Sequence, residues 1–226
     1  MQYGNIVKGY FMDRPNRFIA HVELNGEVVV CHVKNTGRCR ELLTPGAEVV
    51  LERCENPNRR TAYDLIAVYK GDRLINLDSQ APNAVFGEWV WSSGYFADLK
   101  TVRRECRYGN SRFDFYLEAG NRKIFAEVKG VTLEQDGVVS FPDAPTQRGT
   151  KHLRELLEAV KEGYEAYAVF VIQMDACRYF TPNRSTDPAF AEALKQAAAG
   201  GVQICALTCL VGEGSMLISD FAEIRL

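Results

Sequence analysis

The sequence has none of the features that mark membrane, secreted or disulfide-bonded proteins. No apolar run approaches the ~20 residues that a membrane helix needs, and the segment from Met1 to Asn16 has no apolar core of the signal-peptide type. The seven cysteines are odd in number, and no pair has the Cys-x-x-Cys spacing of a zinc or redox site. We therefore expect a soluble, cytoplasmic protein with reduced cysteines.

Strong net charge, internal repeats and low-complexity segments are absent as well. The 27 basic and 29 acidic residues leave a net charge of −2, which argues against a protein that coats nucleic acid by bulk positive charge. Hydrophobic residues make up 46% of the chain and charged residues 25%, a composition that excludes disordered, collagen-like and coiled-coil proteins. With 226 residues, the chain suits one large domain or two small ones.

Residues 1–81 have the pattern of a small all-β domain. Asn25-Gly26 is typical of a type I′ hairpin, and Gly71-Asp72 indicates a second hairpin. The strands that we predict around these turns are Arg17–Leu24, Glu27–Val33, Ala47–Cys54, Thr61–Tyr69 and Arg73–Leu77. Five short strands in this length predict a closed or nearly closed barrel of the OB type.

The pattern changes at Pro82, and residues 82–226 are predicted to form an α/β domain. Strand, helix and strand follow one another near the end with the spacing of a right-handed crossover, which predicts a parallel pair in a mixed sheet. The predicted helices are Asn83–Trp91, Thr150–Lys161 and a segment that begins at Asp187-Pro188 and ends at Gly200-Gly201. The predicted strands are Val102–Tyr108, Arg112–Glu118, Arg122–Lys129, Tyr167–Gln173 and Val202–Leu207.

Two carboxylates and a lysine are predicted to share one face of a hairpin. If Gly120-Asn121 forms its two-residue loop, Asp114 lies directly opposite Glu127 on the neighbouring strand. Lys129 follows two residues later and points to the same side. Phe113, Phe115, Ala126 and Val128 alternate with these residues and should face the core together.

Two carboxylates directly across a ladder repel each other, so this pair needs compensation. Mg²⁺ or Mn²⁺ would supply it, because such cations are held by one or two carboxylates, waters and phosphate oxygens. A neighbouring lysine can orient a water or balance phosphate charge. Asp114, Glu127 and Lys129 therefore predict metal-dependent phosphodiester hydrolysis; the alternative is a solvated strand face without metal.

A second cluster precedes and enters the helix that follows. Arg148 and His152 are four residues apart and share a helical face. Together they suit a phosphate, with Arg148 as a bidentate donor and His152 as a proton donor or neutral donor. The alternative has Asp143 as a helix cap and His152 as a boundary residue. Glu105 is either a third acid or, more often for such a position, an exposed strand residue.

Local charge departs from the chain average. Residues 100–129 contain eight basic and four acidic residues, a net charge of +4, which suits an anionic polymer. In the first domain, basic residues alternate with aromatic ones, as in single-strand or backbone binding; the alternative is a solvated barrel whose aromatics are core. The basic residues are Arg14, Arg17, Lys34, Arg38, Arg40, Arg59 and Arg60, and the aromatic ones are Tyr10, Phe11 and Phe18.

Seven ordered segments, spread over nearly the whole chain, together carry a family resemblance. They are Arg17-Phe18-Ile19-Ala20, Asn35-Thr36-Gly37, Ser93-Gly94-Tyr95, Ser111-Arg112-x-Asp114-Phe115, Glu127-Val128-Lys129-x-Val131-Thr132, Phe141-Pro142-Asp143-Ala144-x-Thr146-x-Arg148-Gly149 and His152-Leu153-Arg154-Glu155-Leu156. In these segments the chain resembles the sugar fermentation stimulation protein A family. It has Lys34 where the family often has proline, and Arg112-Phe113 replaces the proline before the aspartate of related nucleases.

The resemblance implies an OB-like domain followed by a domain similar to the PD-(D/E)xK nucleases, with Asp114, Glu127 and Lys129 in the motif positions. It also implies non-specific DNA binding and a link to regulation of sugar (maltose) metabolism. The predicted catalytic residues are Asp114, Glu127, Lys129 and His152, the first two as ligands of Mg²⁺ or Mn²⁺. The predicted nucleic-acid-binding residues are Arg17, Asn35, Thr36, Arg38, Arg112 and Arg148.

Two functions compete at this point. One is a metal-dependent nuclease, which the intact acids and lysine favour, because a pure binder has no need of two carboxylates beside DNA phosphates. The other is a DNA-binding regulator without turnover, which the family description favours. A sugar- or nucleotide-binding regulator is weaker, because no Gly-rich phosphate loop follows a strand.

Overall fold

The computed structural model describes residues 1–35, 37–56 and 58–226, and its first domain is a closed five-stranded barrel. The order β3-β2-β1-β4-β5 consists of antiparallel neighbours, and a parallel pairing of β3 with β5 closes the ring, while β6 pairs with β5 outside it. This confirms the OB-like barrel. The strands are β1 (Ile6–Asn16), β2 (Ile19–Leu24), β3 (Glu27–Val33), β4 (Glu48–Arg53), β5 (Tyr63–Lys70) and β6 (Arg73–Asn76).

The first strand of the barrel was not predicted from the sequence. β1 carries a proline and several charged residues, which hide its alternating pattern, although it pairs with β2 on one edge and β4 on the other. Gly9 allows this double pairing, since an added Cβ would lie 2.6 Å from the carbonyl oxygen of Glu23. The predicted β2–β3 hairpin is confirmed, with positive φ at both Asn25 and Gly26 as a type I′ turn requires.

The second domain is built on a six-stranded mixed sheet in the order β15-β14-β12-β9-β8-β7. β9, β12 and β14 are parallel, whereas β7, β8 and β15 run antiparallel to their neighbours. The early antiparallel and late parallel pairings confirm the predicted mixed sheet, but the last strand, β15, was not predicted. A small sheet of β10, β11 and β13 was missed because strands of three or four residues carry too little pattern. The elements are α1 (Ala81–Ser92), β7 (Leu99–Tyr108), β8 (Ser111–Ala119), β9 (Arg122–Val131), β10 (Leu133–Gln135), β11 (Val138–Phe141), α2 (Gln147–Lys161), β12 (Glu165–Ile172), β13 (Tyr179–Pro182), α3 (Pro188–Ala199), β14 (Gln203–Gly212) and β15 (Ser215–Phe221).

Helices cover both faces of the main sheet. α1 packs Val85 and Phe86 into the core on one face, and α2 and α3 pack Leu156 and Phe190 into the core on the other. The core on the α2 and α3 face is continuous with the interior of the barrel. No helix in the described part of the chain is long and apolar enough to cross a membrane. All seven cysteines lie in that part and are free thiols.

Buried polar groups fix the barrel against the second domain. The side-chain nitrogen of Gln173, just after β12, donates to the backbone oxygens of Asn76 and Asp78 at 3.0 Å each. Glu134 on β10 accepts from Lys70 at 2.6 Å and pairs with Arg73 at 3.2 Å. Because buried polar groups are costly when unpaired, these bonds favour one relative orientation of the domains.

Candidate functional site

The site lies where β8 and β9 separate. Ala119 faces Arg122 across the loop, as predicted, and the ladder continues to Phe115 and Ala126, where it ends. Beyond that point the Asp114 carboxylate accepts a hydrogen bond from the backbone N–H of Val128 at 2.8 Å. The side chain of Asp114 thus replaces a ladder hydrogen bond and is brought to the edge of β9.

β8 is distorted at Asp114, and one sequence prediction fails for this reason. Phe115 packs against Phe86 of α1, with ring centres 5.1 Å apart, in the core that also contains Ala126 and Val128. Phe113 instead contacts aromatic rings in the core on the α2 face. The four apolar residues therefore do not share one face, because the strand turns between Phe113 and Phe115.

Glu127 is buried and has two very different carboxylate oxygens. Its Oε1 accepts from both Lys129 Nζ and His152 Nδ1. Burial alone would raise the pKa of Glu127, but His152 and Lys129 outweigh it and hold the pKa below its ordinary value. Its Oε2 is buried and has no hydrogen-bond partner among the described residues.

Asp114 completes the acidic pair. Burial, followed by the neighbouring Glu127 charge, raises the pKa of Asp114, against the opposing effect of the Val128 N–H. Asn83 of α1 donates its side-chain N–H to Asp114 Oδ1 at 3.2 Å, while Asn83 Oδ1 is itself buried without a described partner. No sequence pattern indicates Asn83, because α1 contacts β8 only in the tertiary fold.

These groups fit a hard divalent cation. A buried carboxylate oxygen without a partner, such as Glu127 Oε2, is unfavourable unless a cation or a water binds it. The charge of Glu127 also makes ionisation of Asp114 less favourable, and a cation between them would remove this repulsion. Within residues 1–35, 37–56 and 58–226, no group of three or more His, Cys, Asp and Glu is placed to hold a metal. Mg²⁺ and Mn²⁺ nevertheless suit the pair of Asp114 and Glu127, because such cations keep several waters.

A basic cleft of about 600 Å³ opens beside His152. It contains the predicted Arg112 and Arg148, so the structure brings these two residues to one place. Two of its cations, Arg107 and Lys151, were not among the predicted site residues. The full lining is Arg107, Asn110, Ser111, Arg112, Gln147, Arg148, Lys151 and His152, which we call the basic cleft.

The alternatives weighed for the neighbouring residues can now be placed. Thr146, not Asp143, caps α2, since its hydroxyl accepts from the N–H of Gly149 at 3.0 Å. His152 is buried between Glu127 and the ring of Phe113 and lines the basic cleft with its remaining surface. Glu105 is exposed and pairs with Arg112 at 2.8 Å, so it is not a third acid of the site.

The nucleic-acid-binding residues predicted in the barrel form a separate group. Arg17 and Arg38 are exposed, and they line a cleft of about 350 Å³. Asn35 is engaged internally, donating to the Leu77 carbonyl at 2.9 Å and accepting from Gly37 N–H at 2.7 Å. Thr36 lies outside the described residues. We call this second cleft the arginine cleft; it is lined by Arg14, Asn16, Arg17, Gly37, Arg38, Arg40 and Ala144.

Arg14 organises this cleft, a role that the sequence did not reveal. Its guanidinium donates to four backbone carbonyls, those of Arg17, Asn35, Gly37 and Arg38, at 2.6–2.9 Å. Because the donor fork of arginine is rigid, these bonds fix the segments that carry the exposed arginines.

Comparison with known proteins agrees with this architecture. A sequence-family model described as the SfsA N-terminal OB domain matches residues 12–77. A second family model, described as the sugar fermentation stimulation protein RE domain, matches residues 80–215. A sugar fermentation stimulation protein homolog of Desulfitobacterium hafniense is 60% identical over 226 residues, covering all of this chain and 99% of that protein. Another, from Clostridium beijerinckii, is 54% identical over the whole of both chains.

Among solved structures, SfsA of Pyrococcus furiosus in complex with Ca²⁺ superposes with a TM-score of 0.90. The two chains are 26% identical, and the match covers 100% of this chain and 98% of the other. The second domain thus has the mixed α/β fold of the RE type, following an OB barrel. The chain belongs to the sugar fermentation stimulation protein family.

Proposed function

We propose that this protein is a metal-dependent nuclease that hydrolyses phosphodiester bonds, with DNA as its substrate. The observation that carries the proposal is the buried Oε2 of Glu127, which has no described partner and lies beside a second carboxylate. A binder without turnover gains nothing from such a pair, since carboxylates repel phosphate. A hydrolase needs them to hold a cation.

Asp114 and Glu127 would hold Mg²⁺ or Mn²⁺, which when bound polarises the phosphate and lowers the pKa of a water. Lys129 is partly exposed and ion-paired with Glu127, so its ammonium is placed to orient the attacking water or to neutralise phosphate charge. His152 holds Glu127 through Oε1 and thereby leaves Oε2 free. Arg112 and Arg148 bind phosphates of the strand in the basic cleft.

The solved relative supports the choice of cation. The structure of the protein from Pyrococcus furiosus is that of a complex with Ca²⁺, a hard cation that takes oxygen ligands as Mg²⁺ does. Because the two chains superpose with a TM-score of 0.90, this complex supports a hard cation as the ligand of the present chain.

A different observation favours a second function. The curated relatives carry the name sugar fermentation stimulation protein homolog, which names sugar fermentation and no enzymatic activity. It favours the second function, a non-catalytic, non-specific DNA-binding regulator of sugar (maltose) metabolism, which the sequence resemblance implies. The two basic clefts would serve such a regulator equally well. Only turnover separates the two functions.

The experiment is a cleavage assay on single- and double-stranded DNA and RNA with Mg²⁺ or Mn²⁺. We expect cleavage by the natural chain and a loss of at least about 100-fold in Asp114→Asn and in Lys129→Ala. Glu118→Gln is the matched control, because it removes a carboxylate from the same strand outside the site and should retain activity. Tight DNA binding without cleavage under either metal would instead establish the regulator.

A further inference from the structure

The arginine cleft gathers several cations that form no ion pair with the described residues. Arg17, Arg38 and Arg40 are exposed, and none of them forms an ion pair with another described residue. The cleft has no acidic side chain among its described lining residues. Three unpaired guanidiniums held on a rigid backbone make a site for a polyanion, because arginine forks match phosphate oxygens.

An exposed aromatic ring lies next to these cations. Phe18 is 49% exposed, although a phenylalanine on a small barrel would normally be covered. The guanidinium of Arg17 lies 5.8 Å from the centre of the Phe18 ring. Aromatic rings beside cations are the means by which OB barrels stack unpaired bases while holding the backbone.

A pocket of about 360 Å³ lies between the barrel and the second domain. Its described lining has no cation but has one carboxylate, that of Asp143, together with the partly buried ring of Phe141. It therefore suits a neutral base, whose amino groups can donate to Asp143, better than a phosphate. The volume is that of a drug-sized ligand, enough for a nucleotide and too small for a duplex.

This pocket adjoins the arginine cleft and comes within one residue of the basic cleft along the chain. Gly37 and Ala144 line both the pocket and the arginine cleft. At its other end, the pocket reaches Gly130, which follows Lys129, and Thr146, which precedes the first residues of the basic cleft on α2. Gly37 makes the passage narrow, because a Cβ there would lie 2.8 Å from Asp143 Oδ2.

From this continuity we infer that the protein holds a single strand of nucleic acid across both domains. Phosphates of one strand occupy the basic cleft and the arginine cleft, and a base between them occupies the interdomain pocket. This inference rests on the proposed function, because it identifies unpaired strands as the substrate of that site. It places Arg40 and Phe18 of the barrel and Ala144 of the second domain on one binding path.

Fluorescein-labelled oligodeoxycytidines of about 4 and about 16 nucleotides, the range of OB site sizes, test the path, because cytosine carries the amino group that Asp143 would accept from. Binding is measured in EDTA, so that no strand is cut. We expect the long strand to bind about tenfold or more tightly than the short one. The triple variant Arg17→Ala, Arg38→Ala, Arg40→Ala should lose this gain, and its slope of log K against log salt should fall by about 2.

Ala144→Trp is the more selective variant, because it fills the junction of pocket and arginine cleft and removes no charge. It should abolish the gain with length and leave the short strand unaffected. Ala199→Trp, which adds the same ring at the exposed end of α3, should keep the gain, as should the triple variant with lysines in place of the three arginines. Unchanged circular dichroism confirms folding in each case.

A length gain that survives in Ala144→Trp or in the triple alanine variant would overturn this path. An equal gain with duplexes of the same length would overturn it as well. Metal-dependent cleavage without any length gain would leave the nuclease standing and remove the single-strand path. A gain in affinity with strand length that depends on these residues, but without any cleavage, would keep the single-strand path and remove the nuclease.

Discussion

At the scale of single residues, the site is defined by a difference between the two carboxylate oxygens of Glu127. Oε1 is saturated by Lys129 and His152, whereas Oε2 is buried without a described partner. Such an arrangement is costly in the metal-free chain. It becomes favourable when a cation neutralises the oxygen, so metal binding and stability should be coupled.

Addition of Mn²⁺ or Mg²⁺ should therefore raise the melting temperature. At a metal concentration about 100-fold above Kd the expected stabilisation is about 2.7 kcal/mol, which is about 5–10 °C for a chain of this size. Differential scanning calorimetry of the natural chain, with and without EDTA, measures the shift. The shift should vanish in Glu127→Gln and persist in Glu118→Gln; a shift of equal size in Glu127→Gln would place the cation elsewhere.

Part of this site could be predicted from spacing. The register of a two-residue loop brings Asp114 close to Glu127 and Lys129, because the ladder is regular as far as Phe115 and Ala126. The bond of the Asp114 side chain to the Val128 N–H lies beyond this regular part and could not be predicted. Asn83 and His152 could not be placed in the same way, since each comes from a helix whose position depends on the packed core. The partnership of His152 with Glu127 is thus a tertiary feature that local pattern does not encode.

At the scale of elements, one carboxylate links the starts of α2 and α3. Asp187 caps α3 by accepting from the N–H of Phe190 at 2.9 Å, as the sequence predicts. Its second oxygen accepts from the N–H of Thr146 at 2.8 Å, and Thr146 in turn caps α2. One buried carboxylate therefore fixes the start of the helix that carries Arg148 and His152.

Asp187→Ala should destabilise the protein more than the loss of an ordinary cap. An exposed cap is worth about 1 kcal/mol, whereas this change leaves two backbone N–H groups without a partner, so about 2–4 kcal/mol is expected. Urea denaturation gives the difference in free energy of unfolding. Asp187→Asn keeps one acceptor oxygen and should lose about half as much; a loss below about 1 kcal/mol in the alanine variant would refute the shared cap.

Elements were predictable where the pattern is long or the turn residue is specific. The β2–β3 hairpin follows from Asn25-Gly26, and α2 follows from its apolar stripe. β1 was missed because its neighbours in space, β2 and β4, stabilise a segment whose own pattern is broken. The three strands of the small sheet were missed because each is only three or four residues long.

At the scale of the whole molecule, the two domains are joined by buried polar contacts as well as by a continuous core. Glu134 is the carboxylate of this interface, and it forms ion pairs with Lys70 and Arg73 of the β5–β6 hairpin. It also accepts from the N–H of Gly137 at 2.6 Å. Burial would raise the pKa of Glu134, but Lys70, the Gly137 N–H and Arg73 outweigh it and lower that pKa.

Glu134→Gln should lower the free energy of unfolding by about 1–3 kcal/mol at pH 7. Because the folded pKa is below the ordinary value of about 4.3, the carboxylate stabilises the fold above that value, and this contribution disappears as the pH falls through the folded pKa. Urea denaturation from pH 7 to pH 3 should show the two chains converging in acid. Glu158→Gln, at an exposed pair on α2, should have little effect; a difference that stays constant with pH would contradict the ionic origin.

The placement of β9 has a consequence for the order in which the molecule opens. β9 is hydrogen-bonded to β12 over its whole second half and to β8 over its first, and helices cover both of its faces. Its amides are expected to belong to the most protected cooperative unit, which exchanges with solvent only when the domain unfolds globally. Glu127 and Lys129 should therefore remain in register until the fold itself is lost.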